Sequence, residues 1–394
     1  MKRIGIYGGT FNPPHLGHVR AAQYAISALS LDQLLVIPSC IAPHKQMPED
    51  SPDPEQRMQM LQLCFSDMPF VQVSDMELQR GGSSYTYETV LQLKKEYPDA
   101  ELVLFMGTDM FLSFYTWRNP EIILQNVSLG VFYRGEWNEI DRVAEQKECL
   151  ERNGATVYLL ENPVTEISST DLRRMLIFAC ADDFLDPRVR DYIKENNLYG
   201  CGRSLQNLPE VELEQVIVSL LKPNRIAHVL GCRDTAAELA VKWGANEEDA
   251  RRAALLHDVT KALDGPLQLT LCGAYGIILD NFSKENPKVL HALTGSLVAQ
   301  RIFGENDAVV SAICSHTTGK ANMNTLEKII YVADYMEPNR DFPGVEGLRT
   351  MAYTNLTNAL QMGLEMTLAM LVEQGRTVSF GSQEALRWLA QNKE

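Results

Sequence analysis

The chain has 394 residues, and its 36 lysine and arginine residues against 51 aspartate and glutamate residues give a formal charge of −15 at pH 7. Both halves are acidic, with 18 basic against 28 acidic residues up to Gly200 and 18 against 23 after it. This balance argues against a nucleic-acid backbone as partner, so small anionic ligands must be met by local positive clusters or by metals. The length predicts two or three domains.

No apolar run approaches the roughly 18 to 20 residues that a membrane span needs. Met1 leads straight into a strand-like segment without the apolar core of a signal peptide. The eight cysteines are scattered singly, which is typical of reduced thiols. We therefore expect a cytoplasmic protein with no membrane partner. The sequence leaves the oligomeric state open, a homo-oligomer included.

The first motif is G-G-T-F-N-P-P-H-L-G-H at residues 8–18, between a strand pattern at 2–7 and a helical pattern at 19–31. Glycine lets a backbone approach an anion closely, and the free N–H groups at a helix start face it. His15 and His18 are three residues apart, so both rings can point at one place. The string is similar to the nucleotidyltransferase signature G-x-F-x-P-x-H-x-G-H, which implies that the histidines hold the triphosphate of ATP.

Strand and helix patterns alternate through the first half. Further strands are predicted at 34–38, 71–73, 102–106, 127–133 and 155–160, and helices at 52–65 and from Ser84. This alternation predicts an α/β doubly wound parallel sheet of the Rossmann-like kind. At 167–174, I-S-S-T-D-L-R-R predicts a helix start that is capped by Ser169 or Thr170, with Arg173 one turn further along and within reach of the same anion.

Four more motifs complete a resemblance: P-H-K at 43–45, S-Y-T-Y-E-T at 84–89, M-G-T-D at 106–109 followed by Trp117, and Y-R-G at 133–135. Over about residues 1–200 the chain resembles the bacterial nicotinate-nucleotide adenylyltransferases. Glu88 and Leu172 are mild departures, since Asp and Ile are common there. The resemblance implies transfer of AMP from ATP to nicotinic acid mononucleotide, which gives nicotinic acid adenine dinucleotide and pyrophosphate, with Mg²⁺ bridging the phosphates.

By this resemblance the catalytic residues are His15, His18, Lys45 and Arg173, which would supply a positive field. The substrate-binding residues are Gly8, Gly9, Thr10, Phe11, Tyr85, Thr86, Gly107, Asp109, Trp117, Arg134, Ser168, Ser169 and Thr170. Trp117 would stack on the pyridine ring, unless it is a core aromatic. The alternative is a relative that acts on phosphopantetheine or nicotinamide mononucleotide, and the S-Y-T and M-G-T-D motifs with Trp117 argue against it.

Residues 201–209 lose periodicity and read as a linker, which separates a domain at 1–200 from one at 210–394. The second domain is predicted to be all-α, because apolar residues recur at helical spacing. The predicted helices are 211–221, 225–243, 247–263, 287–303, 308–316, 325–335 and 353–374.

All four histidines of the second domain, together with two aspartates, are candidate metal ligands. They are His228, His257, Asp258, His291, His316 and Asp334. Histidine with carboxylate suits Fe, Mn or Zn rather than Ca. Because His257 and Asp258 are adjacent, both can bind one metal only if it lies at the edge of their predicted helix.

The motifs R-I-A-H-V-L-G at 225–231, L-H-D-V-T-K at 256–261, H-A-L-T-G at 291–295, H-T-T-G at 316–319 and V-A-D-Y-M-E-P-N-R at 332–340 resemble the HD-domain hydrolases. Within that group they are similar to the branch that splits diadenosine tetraphosphate symmetrically into two ADP. The resemblance implies two metal ions, iron first with manganese or zinc as alternatives. His228, His257, Asp258 and Asp334 would hold one, and His291, His316 and a shared Asp258 the other.

The same resemblance implies that Lys261 and Arg340 bind phosphate oxygens. It also implies that Glu337 orients one of these two side chains or a metal-bound water. Lys261 could equally be a solvated cation. Our hypothesis is a bifunctional enzyme with two separate sites. One alternative makes the second domain a metal-bound nucleotide sensor without turnover. Another gives it a different substrate, such as a guanosine polyphosphate or nicotinic acid adenine dinucleotide.

Overall fold

The structure is a computed structural model that describes residues 1–43, 47–48, 51–133, 137–161 and 167–392. The chain divides into two compact units, Met1–Arg203 and Ser204–Glu394. A search of the described residues finds no helix with the length and apolar character that a bilayer crossing requires.

The first unit is built on one parallel sheet, which confirms the predicted doubly wound class. Within the described residues the sheet has six strands in the order β3-β2-β1-β4-β5-β6. The strands are β1 (Arg3–Gly9), β2 (Gln33–Pro38), β3 (Val71–Val73), β4 (Glu101–Gly107), β5 (Ser128–Tyr133) and β6 (Val157–Glu161). The chain moves outward on both sides of β1, so the crevice beyond the carboxyl ends of β1 and β4 is where such sheets bind ligands.

Helices cover both faces of this sheet, which is why its strands read as apolar runs rather than as alternating patterns. The helices are α1 (Leu16–Leu29), α2 (Pro54–Phe65), α3 (Met76–Arg80), α4 (Thr86–Glu96), α5 (Thr108–Leu112), α6 (Pro120–Asn126), α7 (Trp137–Arg152), α8 (Ser169–Ile177) and α9 (Pro187–Glu195). Ile4, Leu35, Leu104 and Leu129 are at most 4% exposed and form the centre of the core.

The described part of the second unit contains helices and no strand, in agreement with the all-α prediction. Its helices are α10 (Glu210–Leu220), α11 (Pro223–Trp243), α12 (Glu247–Leu256), α13 (Gly265–Ala274), α14 (Asn281–Glu285), α15 (Leu290–Arg301), α16 (Asp307–Ser315), α17 (Thr325–Met336), α18 (Val345–Ala352), α19 (Leu356–Glu373) and α20 (Phe380–Gln391).

The predicted helix 247–263 is wrong in its second half, because α12 ends at Leu256. His257 Nδ1 lies 2.6 Å from the carbonyl oxygen of Ala254 and so caps one of the last carbonyls of the helix. His316 does the same after α16, with Nδ1 2.7 Å from the carbonyl oxygen of Ile313. Each histidine thus lies just beyond the end of a helix, and Asp258 lies in the turn that follows α12 rather than on a helix edge.

Other boundaries also differ from the prediction. The predicted helix 287–303 begins as a short 3-10 turn, Pro287–Val289, before α15. The predicted helix 353–374 begins only at Leu356, after Asn355, whose side chain accepts a hydrogen bond from the N–H of Asn358 at 2.9 Å. Helices α13, α14, α18 and α20 were not predicted. In α13, Gly265, Pro266 and Gly273 weaken the helical signal.

Candidate active sites

The first unit has a cavity of about 510 Å³ at the carboxyl ends of β1 and β4. Most of the predicted residues of this half line it: Gly8, Gly9, Thr10, Phe11, His15, His18, Tyr85, Thr86, Gly107, Trp117, Ser168, Ser169, Thr170 and Arg173. Asp109 does not line the cavity, because it lies exposed in the first turn of α5. Lys45 and Arg134 lie outside the described residues. The cavity has the size of a small-molecule site.

Two helix starts meet at this cavity and are tied together by hydrogen bonds. Arg173 on α8 donates from Nη1 to the carbonyl oxygen of Asn12 at 2.7 Å and from Nη2 to Thr170 Oγ1 at 3.2 Å. The hydroxyl of Ser169 donates to the carbonyl oxygen of Pro13 at 3.1 Å. Ser168, rather than Ser169 or Thr170, is the N-cap of α8, and its Oγ accepts from the N–H of Asp171 at 3.0 Å. The starts of α1 and α8 are therefore held together at the cavity, where the positive ends of two helix dipoles favour an anion.

His15 and His18 stack at the start of α1, with ring centroids 3.7 Å apart. The backbone N–H of His15 donates to His18 Nδ1 at 3.1 Å, so a neutral His18 carries its proton on Nε2. Burial lowers the pKa of His15 to about 4. At neutral pH, His15 thus offers a phosphate a hydrogen bond rather than the positive charge that the sequence prediction assigned to it.

Sequence reasoning missed the residues that hold the glycine-rich loop in place. Arg57 on α2 is 2% exposed and donates to the carbonyl oxygens of Thr10 and Ser39, both at 2.8 Å. Asn12 is equally buried, and its Oδ1 accepts from the Tyr199 hydroxyl at 2.8 Å. Arg57 could have been found from the sequence, because it is a lone arginine on the apolar face of a helix. No local pattern marks Tyr199.

The wall of the cavity near Trp117 carries one further cation. The Arg118 guanidinium lies 4.6 Å from the ring centroid of Tyr85, and both residues line the cavity. Trp117 itself packs on Phe114, with ring centroids 5.4 Å apart, and also faces the cavity. Trp117 therefore packs against the edge of the hydrophobic core and also lines the cavity.

In the second unit, the six predicted metal ligands meet at one place. The ligand atoms of His228, His257 and Asp334 lie within 4.8 Å of one another, and so do those of His257, Asp258 and His316. His291 joins the second group, since its Nε2 is 3.2 Å from His316 Nε2 and 3.4 Å from Asp258 Oδ1. His257, Asp258, His291 and His316 are at most 4% exposed.

The hydrogen bonds of these histidines leave their Nε2 atoms available to bind a cation. The Nδ1 atoms of His257, His291 and His316 lie 2.6 to 2.7 Å from backbone carbonyl oxygens, which can only accept, so Nδ1 carries the proton. In their neutral form, which burial favours for His291 and His316 by lowering the pKa of each, these two rings turn Nε2 lone pairs toward each other, with the two Nε2 atoms only 3.2 Å apart. The Thr317 hydroxyl lies 3.2 Å from His291 Nε2 and 3.1 Å from His316 Nε2, and its one proton can satisfy only one of them. A bound cation would relieve the repulsion that remains. Ligand atoms about 3.0 to 3.4 Å apart are also what an ion bound at about 2.1 Å requires.

Three cations surround the carboxylates of this cluster. Arg225 Nε donates to Asp258 Oδ2 at 2.5 Å, Lys261 Nζ lies 3.0 Å from Asp258 Oδ1, and Arg340 Nη2 donates to Asp334 Oδ1 at 2.7 Å. Burial raises the pKa of Asp258, but His257 and Lys261 outweigh burial and hold it well below its usual range. Arg225 was missed as a site residue, although its position one turn before His228 on a helix was the signal.

The chain thus combines a parallel-sheet unit, in which a glycine-rich loop lines a cavity, with a helical unit in which histidine and aspartate side chains converge. Residues 6–175 match the cytidylyltransferase-like family, and residues 225–339 match the HD domain. The second unit is therefore a helical unit that contains an HD domain.

Two relatives match the first unit over their whole length. The probable nicotinate-nucleotide adenylyltransferase of Lachnoclostridium phytofermentans is 34% identical over 200 residues, which cover 50% of this chain and 100% of the relative. That of Symbiobacterium thermophilum is 37% identical over 205 residues, covering 52% of this chain and 98% of the relative. Through its first unit, the chain belongs to the nicotinate-nucleotide adenylyltransferase family.

A solved structure is similar to part of the chain as well. It is a predicted HD superfamily hydrolase involved in NAD metabolism from Clostridium acetobutylicum. The identity is 36%, the match covers 47% of this chain and 99% of that one, and the TM-score is 0.46.

The depressed pKa of His15 gives a test. In ¹³C-histidine-labelled protein, with the His15 signal assigned by His15→Gln, we expect no titration of that ring between pH 8 and about 5. Because the unfolded chain takes up this proton near pH 6.5, the folded state should also lose stability as the pH falls from there toward 4. A His15 midpoint near 6.5 would contradict the buried, neutral ring.

Proposed function

We propose that the first unit, residues 1–200, transfers AMP from ATP to nicotinic acid mononucleotide. Family membership together with the convergence of the glycine-rich loop and α8 on one cavity carries this proposal. In the reaction, a 5′-phosphate oxygen of the mononucleotide attacks the α-phosphorus of ATP in line. A new P–O bond forms, the bond to the β-phosphate breaks, and pyrophosphate leaves with Mg²⁺.

This chemistry needs no covalent side chain, because positioning and charge neutralisation carry it. His18 would donate from Nε2 to a phosphate oxygen, and His15 would act beside it as a neutral donor. Arg173 would supply fixed positive charge, and the amides at the starts of α1 and α8 would add partial charge. We also assign Lys45 to the phosphates on the motif alone.

The other end of the cavity is proposed to hold the nicotinate nucleotide. Trp117 would stack on the pyridine ring, with Tyr85 and Thr86 orienting the nucleotide. Arg118 is close enough to Tyr85 to add a positive field there, which favours a carboxylate on the ring over a neutral amide. Its position favours nicotinate over nicotinamide, which was the alternative left by the sequence. Asp109, exposed outside the cavity lining, is not needed in this scheme.

For the second unit, residues 210–394, we propose a metal-dependent phosphohydrolase that acts on diadenosine tetraphosphate and releases two ADP. The carrying observation is that His228, His257, Asp258, His291, His316 and Asp334 meet, with lone pairs facing inward. Two divalent ions bound there, iron by our preference and manganese or zinc as alternatives, would polarise phosphate oxygens and lower the pKa of water. Lys261 and Arg340 would bind the remaining phosphate charge of the substrate.

A sensor without turnover remains the second candidate for this unit. One observation favours hydrolysis over sensing. Arg225, Lys261 and Arg340 already contact the ligand carboxylates, so phosphate-binding groups and candidate metal ligands are adjacent, as attack on a phosphate requires. A guanosine polyphosphate or nicotinic acid adenine dinucleotide would meet the same charges, so the substrate panel must include both.

Two substitutions test whether the activities are separate. We expect His18→Ala to lower kcat/KM for nicotinic acid adenine dinucleotide formation by about 10²- to 10³-fold, because a positioned donor to the phosphates is lost. Hydrolysis of diadenosine tetraphosphate by this variant should stay within about twofold. Asp258→Asn should give the reverse pattern, since it removes a carboxylate that faces both halves of the metal cluster.

Each variant is the control for the other, measured in the same full-length chain. Loss of both activities on either single substitution, with folding intact by circular dichroism, would contradict two independent sites.

The second activity is tested by metal content and product. We expect about two iron or manganese ions per chain, and ADP as the product from diadenosine tetraphosphate. Removing the metal with a chelator should abolish ADP release, and adenylyl transfer should return fully when only Mg²⁺ is restored. Saturable binding with metal present but no ADP would support the sensor. ATP with AMP as products would show hydrolysis at a different phosphorus.

A further inference from the structure

Glu337 is a buried carboxylate that the proposed reaction has not used. It follows α17 directly and is 1% exposed. Its Oε1 lies 3.1 Å from His228 Nδ1. Its Oε2 accepts from the backbone N–H of Asn339 at 2.7 Å and from Asn339 Nδ2 at 2.8 Å. Asn339 Nδ2 also donates to the carbonyl oxygen of Ala227 at 3.1 Å, which ties this segment to α11.

These contacts fix the tautomer of His228. The backbone N–H and the side-chain amide of Asn339 both donate to Glu337 Oε2. An ionised carboxylate can only accept, so its Oε1 accepts from His228 Nδ1. In the neutral ring Nε2 is then the nitrogen with the lone pair, and this atom lies 3.0 Å from Asp334 Oδ1 and 3.3 Å from His257 Nε2. His228 is therefore held as a ligand before any ion arrives.

Among the histidines of the cluster, His228 differs in the partner of Nδ1. His257, His291 and His316 each place Nδ1 against a neutral backbone carbonyl. A carboxylate is the stronger acceptor, because it is charged, and it raises the electron density at the opposite ring nitrogen. His228 should thus bind a cation more strongly than the other three.

Gly231 supports this contact independently. It lies one turn after His228 on α11, and a Cβ added there would be 2.6 Å from Glu337 Oε2 and 3.1 Å from Asn339 Nδ2. Glycine inside a helix is destabilising relative to alanine. Here it leaves the space that the carboxylate occupies, so any larger residue must push Glu337 away from His228.

The two halves of the cluster also differ in negative charge. The group of His228 and His257 faces two carboxylates, Asp258 and Asp334. For His291 and His316, the ion pairs among the described residues reach Asp258 alone. Negative charge and the strength of the histidine ligand therefore both favour tighter metal binding in the half that contains His228 and His257.

We propose that Glu337 is a positioning residue that makes His228 the strongest histidine ligand, so that the ion held by His228, His257 and Asp334 binds more tightly than the ion beside His291 and His316. The proposal rests on the proposed function only in that the cluster binds divalent metal. It gives the site one resident ion and one exchangeable ion.

The test is stepwise Mn²⁺ binding to the metal-depleted full chain, followed by calorimetry and by electron paramagnetic resonance of the free ion. The wild-type protein should bind in two steps of different affinity. Glu337→Gln and Gly231→Ala should each weaken the tighter step by about 10- to 100-fold. The weaker step should change by no more than about threefold.

Matched controls come from the same unit. Glu327→Gln changes another buried carboxylate of α17, 2% exposed, which caps the start of that helix. Gly347→Ala changes another helical glycine, whose added Cβ would meet only Met362 at 3.4 Å. Neither should alter the tighter step. A melting curve of each metal-free variant separates loss of fold from loss of ligand strength, and Gly231→Ala carries the test if Glu337→Gln does not fold.

The proposal is overturned by two equal steps in the wild type, by variants that leave the tighter step unchanged, or by an equal loss in both steps. Because the readout is binding, it is distinct from the proposed activity. Two unequal steps without ADP release would remove the hydrolase and keep this inference, whereas ADP release with equal steps would do the opposite.

Discussion

Both proposed functions face the same constraint: an acidic chain with a formal charge of −15 would have to bind polyphosphates. Positive potential cannot come from the surface as a whole, so it must be concentrated. The first unit gathers it from two helix starts and Arg173, which are tied together through the loop that contains Asn12 and Pro13. The second unit surrounds two aspartates with histidines, arginines and a lysine.

One residue of the glycine-rich loop has an irregular backbone. Phe11 has a φ of 46°, in the left-handed region that favours glycine, and lies in the glycine-rich loop. Arg57, buried beneath that loop, binds its carbonyl oxygens and so stabilises a backbone that no strand or helix would hold. In the second unit, His257 and His316 end their own helices by capping them. Two of the candidate metal ligands are thus also the residues at which a helix ends.

Sequence patterns were sufficient for what depends on local order. The doubly wound sheet and the all-α second unit follow from periodicity, and the site residues from motifs that resemble known families. What failed depends on contacts between distant segments. Helix α12 ends at Leu256, where His257 Nδ1 bonds to the carbonyl oxygen of Ala254. The periodicity of apolar residues carries no information about such a contact. The neutral state of His15 is a consequence of burial, and the link from Tyr199 to Asn12 spans 187 residues.

The two units would obtain the positive charge that phosphates need from different sources, and this difference has a functional consequence. In the first, charge is fixed in side chains and backbone amides, so its strength is constant and any Mg²⁺ arrives with the substrate. In the second, the proposed function takes part of its positive charge from bound ions, whose candidate ligands Asp258 and Asp334 are paired with Arg225 and Arg340. The occupancy of such a site depends on the concentration of free metal and on pH. A chain built this way can keep one phosphate chemistry constant while the other follows the metal supply, without any contact between the two sites being required.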